Sequence, residues 1–92
     1  MINKILESIE NLVASIYDID QIGLQEKYLT FLENIEQFIG KMTEMGYQVD
    51  MNKDLMEIND AMEKKDYIWL SDILLYTVKP DFENLRKMDL NI

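Results

Sequence analysis

From Ile2 to Ile16 the large apolar residues fall at Ile2, Ile5, Leu6, Ile9, Leu12, Val13 and Ile16, in alternating steps of three and four. At about 100° per residue, all seven share one side of a helix, with Asn3, Lys4, Glu7, Ser8, Asn11 and Ser15 on the other. The pattern returns in a second helix, where Leu24, Tyr28, Phe31, Leu32, Ile35, Phe38, Ile39, Met42 and Met45 form one broad face. Gly46 follows where a left-handed carboxyl cap falls. Between the two runs lies a short connection, Tyr17 to Gly23, whose aspartates can cap a helix amino end.

A third helix, with Asp50 or Asn52 as its cap, carries the narrower stripe Met51, Leu55, Ile58 and Met62. A narrow stripe suits an outer element. Asp66 then caps a fourth helix that opens with KDYIWLSDILLYTVKP and holds the only tryptophan and the only proline of the chain. Its stripe of Tyr67, Leu70, Leu74 and Thr77/Val78 keeps phase through Leu85 and Met88. This predicts one helix kinked at Pro80, with two abutting helices as the fallback. The fold class is all-α: a single domain over residues 1–92, an antiparallel up-down helical bundle of four helices, or three long ones plus a short one.

A chain of 92 residues buries roughly 60–65% of its unfolded surface, so its core is modest and help from an oligomer or partner is unsurprising. Nine basic against eighteen acidic residues leave a net charge of −9. That surface repels phosphate backbones and anionic lipid, which argues against nucleic acid and membranes as partners. The apolar content argues against disorder. The amino terminus does not read as a signal peptide and no window is long enough to span a bilayer, so the cytoplasm is the default compartment.

Histidine and cysteine are both absent, which removes imidazole acid–base chemistry, thiol nucleophiles, serine–histidine triads and ordinary zinc sites together. Carboxylate chemistry with magnesium, manganese or calcium survives that cut. Asp18-Ile19-Asp20-Gln21-Ile22-Gly23 begins like a calcium-binding loop, with glycine at the sixth position. Ile22 and Leu29, however, stand where the fifth and twelfth positions need oxygen donors. Capping and turn chemistry explain those aspartates better. Acidic pairs recur at helical spacing in Glu7/Glu10, Glu33/Glu36 and Glu57/Asp60/Glu63, as in magnesium-binding helical pyrophosphatases. Each set lies away from the apolar stripe of its own helix, so solvated surface is the expectation. No metal and no cofactor is therefore assigned.

Asp72 is harder to place, because Ile68, Trp69, Leu75 and Tyr76 make a second apolar stripe around it, roughly opposite Leu70, Leu74 and Val78. In one reading the segment is the central helix, wrapped on both faces, with Asp72 paired to Lys79, Lys41 or a tyrosine hydroxyl. In the other, Ile68, Trp69, Asp72, Leu75 and Tyr76 form a partner-binding patch, the only place with apolar surface to spare. Tryptophan and tyrosine favour such a role, and Asp72 would select register or a basic group.

The segment KKDYIWLSDILLYTVKPDFENL resembles the carboxyl-terminal helix of small uncharacterised helical proteins of clostridia and bacilli. Asp66, Tyr67, Leu70, Asp72, Leu74, Tyr76 and Pro80 are the matching positions, over about a quarter of the chain. Where that family would place glutamates around the tyrosine, this chain has Leu75 and Thr77. The resemblance implies a small bacterial helical protein and no activity. In size, acidity and helical make-up the chain is also similar to flagellar and type III export chaperones.

Three functions follow as expectations. The first is a non-enzymatic interaction module, an adaptor or chaperone-like bundle that binds another protein or itself as a homodimer through the last helix. The second is an acidic inhibitor that mimics nucleic acid and occupies a basic protein. The third is a magnesium-dependent all-α nucleotide hydrolase.

Overall fold

A computed structural model describes residues 1–18 and 21–88. Asp20, one of the two candidate caps in the first connection, lies outside the described residues. Within them the protein is all-helical, with extents of 41 × 21 × 21 Å. The elements are α1 (Ile2–Ile16), α2 (Leu24–Glu44), α3 (Asn52–Glu63) and α4 (Tyr67–Ile73). A π-helical turn (Leu74–Val78) and α5 (Lys79–Lys87) then continue α4 without a break, which makes four helices in all.

α1 is the centre of the molecule, packing against α2, α4, the π turn and α5. The apolar stripe alone did not indicate this, because the buried face is wider than the stripe. Ser8 and Ser15, expected on the outer side, are both buried. Ser8 can go inside because its hydroxyl donates to the Ile5 carbonyl at 2.8 Å, satisfying itself within its own helix. The Ser15 Oγ is buried with no hydrogen-bond partner among the described residues. Small side chains at these positions let neighbouring helices approach a second side of α1.

α2 starts at Gly23, whose φ of 78° suits glycine, and among the described residues no side-chain hydrogen bond caps this end. Its other end closes as the sequence predicts. Gly46, at φ 87°, donates to the Thr43 carbonyl, and the Tyr47 N–H donates back to Met42 at 2.9 Å. That pair of bonds satisfies carbonyls that a helix end would otherwise leave open. Met45, placed on the inner face by its spacing, is exposed instead, since the chain is already turning away there.

α3 packs chiefly on α4 and fully buries only Ile58 and Ala61, as an outer helix should. Asp50 supports its start by accepting the Asn52 N–H at 3.1 Å, while the cap position itself belongs to Met51. The corner to α4 is very tight. Lys65 turns the chain with φ 55°, its N–H bonding the Met62 carbonyl, and the Asp66 N–H reaches Ala61 at 2.9 Å. Asp66 then caps α4 by accepting the Trp69 N–H at 3.1 Å. One residue thus closes α3 and opens α4.

The last helix is continuous past the proline. In a regular helix Pro80 would lack its N–H and crowd the carbonyl four residues earlier. Here the turn before it is widened, and the Lys79 N–H bonds the Leu74 carbonyl five residues back. The irregularity expected at Pro80 therefore sits at Leu74–Val78, one turn ahead of the ring. Leu70, Ile73, Leu74, Val78 and Phe82 face the core. Phe82 meets Phe38 of α2 edge to face, with centroids 5.0 Å apart and planes at 75°. Met88, read as the end of the stripe, is exposed.

Candidate functional site

The side of α4 that points away from α1 carries the second apolar stripe. Ile68 is 75% exposed and Tyr76 is 76% exposed. Asp72 lies between them on the same helix, also exposed, while Trp69 and Leu75 are half-buried. The reading in which this helix is wrapped on both faces does not hold, since α1 fills the central position instead. Its predicted partners for Asp72 fall with it. Lys79 approaches Glu10 of α1 at 3.9 Å, Lys41 approaches Glu44 at 3.8 Å, and Asp72 has no ion pair among the described residues.

Two neighbours shape the edges of this surface. The Lys64 ammonium stands 5.9 Å from the centre of the Trp69 ring, close enough for attraction to its electron-rich face. Tyr17, just past the end of α1, shares a hydrogen bond of 3.1 Å with the buried Ser71 hydroxyl. Its ring is nevertheless largely exposed. Ser71 lies one turn from both Ile68 and Leu75, so Tyr17 brings a further aromatic group to the same helix. Sequence reasoning left Tyr17 in a connection, because nothing local indicates a bond to a residue 54 positions away.

The expectation that this helix alone has apolar surface to spare is too narrow. Ile22, Leu29, Met45, Tyr47, Met56 and Met88 are exposed as well. Most of these stand singly at helix ends or in connections, which is ordinary for a protein surface. Ile68 and Tyr76 differ in sharing one face of one helix.

The acidic pairs are placed largely as expected. Glu7, Glu10, Glu33, Glu36, Asp60 and Glu63 are exposed, and Glu57 is half-buried. Among the described residues no group of three acidic side chains is close enough to hold a metal ion. The grooves are shallow. One between α1 and α2 is lined by Ser8, Asn11, Glu26, Lys27 and Thr30. Its hydroxyls are already engaged, Ser8 with Ile5 and Thr30 with the Glu26 carbonyl. A second, lined by Phe38, Val49, Met51, Phe82 and Leu85, also has Asp50, Asp54 and Asp81 at its rim. Asp54 belongs to the first turn of α3 and Asp50 accepts from Asn52, so the start of α3 accounts for both, while Asp81 is an exposed residue of the continuous last helix.

The titration of Tyr28 is clearly perturbed. Burial raises its phenol above the usual 10.0, and the nearby negative charge of Glu63 adds to that. Both effects favour the neutral form, as expected of a core tyrosine.

Fold and surface together define a class: a small acidic all-helical protein with a solvent-facing apolar and acidic strip on its final helix. The family is known more closely than that. A family model described as "Domain of unknown function (DUF8042)" matches residues 3–88, nearly the whole chain, and the chain belongs to that family. No curated protein and no solved structure matches it. Among the described residues no helix is long and apolar enough to cross a membrane.

Proposed function

We propose that this chain is a non-enzymatic interaction module, an adaptor or chaperone-like antiparallel up-down bundle, docking on another protein through the outer face of α4 and the π turn. The observation that carries this reading is the exposure of Ile68 and Tyr76, near three-quarters each, on a helix whose opposite face is fully buried. Large side chains held out from a rigid helix lose little freedom when a partner covers them, and burying each stabilises a complex by about 1.5–3 kcal/mol. Trp69 and Leu75 supply the half-buried floor, and Tyr17 extends one edge. The module works in the cytoplasm, where a chain without cysteine and with strong net negative charge stays soluble without disulfides.

A photo-crosslinking residue placed at Tyr76, and as a control at Tyr47, tests the assignment in lysate of the native host. A discrete crosslinked species formed from position 76 and not from position 47 is the expected result. Crosslinking at neither position, or equally at both, removes this face as the docking site.

A further inference from the structure

We infer that the occupant of this face is an amphipathic helix of a partner protein, with one arginine or lysine set in the middle of its apolar stripe. This deepens the docking reading and rests on it. Ile68, Asp72 and Tyr76 follow one another at steps of four along the exposed face, so the strip reads apolar, acidic, apolar. Asp72 is far from both helix ends, where capping or the helix dipole would explain an acid, and it has no ion pair among the described residues. A covering surface that is apolar throughout would strip water from this carboxylate and give nothing in return. A cation opposite Asp72, flanked by apolar side chains, removes that cost.

The π turn strengthens the case for a straight helical partner. In a regular α-helix, positions four apart drift by about 40° each step, so Tyr76 would stand about 80° round from Ile68. The turn at Leu74–Val78 holds more residues per turn and takes back part of that drift. Tyr76 therefore lies nearer the line through Ile68 and Asp72, along which one helix can rest.

A second copy of the chain fits this strip poorly. Two-fold pairing that uses its whole length sets Ile68 against Tyr76 of the copy if the helices run antiparallel, or like against like if they run parallel, and in both cases Asp72 meets Asp72. The two Asp72 carboxylates would face each other, between molecules that each carry a net charge of −9. Like charges at the centre of an interface select against self-pairing.

The probe is a fluorescein-labelled helical peptide with leucines four residues either side of a central arginine, compared by anisotropy with a twin carrying glutamate at the centre. The arginine peptide is expected to bind the full chain roughly tenfold more tightly. Asp72→Arg, at an exposed position, should invert the preference, with a thermal melt confirming that the variant is folded. Equal binding of the two peptides, no saturable binding of either, or an unchanged preference in Asp72→Arg would overturn the inference. A homodimer in sedimentation that Tyr76→Ala dissociates would also overturn it, since the strip would then be self-complementary. Crosslinking at position 76 is read independently of Asp72, so docking can survive the loss of its basic centre.

Discussion

α1 and the last helix are both rich in large apolar side chains, yet they use them differently. α1 buries Ile2, Ile5, Leu6, Ile9, Leu12 and Ile16, adds Ser8 and Ser15, and packs against α2, α4, the π turn and α5. The last helix has apolar groups on two sides but only one side covered, and it holds Ile68 and Tyr76 out in water. The contrast shows that the most apolar segment of a small helical protein need not be its centre. A helix becomes central when its polar side is small enough to be packed against, as two serines are. A helix with tyrosine and aspartate on its second side meets solvent there, or something brought to it.

The sharpest way to break this contrast is to delete side chains from each helix in turn. Leu12→Ala should cost about 2–5 kcal/mol, because a fully buried leucine leaves a cavity behind. Urea unfolding measures this, and a cost under 1 kcal/mol would mean that α1 is not the packing centre. The corner that aims α4 comes next. Asp66→Ala should lose about 1 kcal/mol with the cap. Lys65→Gly should gain about 1 kcal/mol, since a side chain at φ 55° is strained there. Opposite signs at neighbouring positions in thermal melts are the expected signature. Ser15→Ala should be neutral or stabilising by up to about 1 kcal/mol, as it removes a buried hydroxyl without a partner among the described residues. A clear loss in the same melts would reveal a hydrogen bond at that site. The smallest effect belongs to the outer strip, where Ile68→Ser and Tyr76→Ser should each stay within about 0.5 kcal/mol. If either costs as much as Leu12→Ala, the strip belongs to the core and the docking face disappears with it.

Much of the helical layout was legible because it is local. The spacing from Ile2 to Ile16 gives the bounds of α1 as observed, Gly46 announces the left-handed close of α2, and Asp66 caps α4. What one helix does to another was not legible. Ser8 and Ser15 read as outer residues because hydropathy says nothing of how closely a neighbour approaches a small side chain. The π turn was missed for a similar reason: Pro80 signals a disturbance, while the core contacts of Leu74, Val78 and Phe82 decide where it is absorbed. Ile68, Trp69, Asp72, Leu75 and Tyr76 could be picked out as an unusual set from their spacing. Whether they face inward depended on α1 taking the centre, which no residue in their own segment records.

The widened turn before Pro80 has a consequence for how this helix tolerates changes in length. Such a turn is a helix that has absorbed one surplus residue while the stretches on either side stay in place. Removing the exposed Thr77 alone would restore ordinary pitch and press the proline ring into the backbone behind it. Removing it together with Pro80→Ala would let the shortened helix close evenly, with Phe82 still reaching Phe38. Proline and surplus residue therefore form a linked pair, and a lineage that sheds one is under pressure to shed the other.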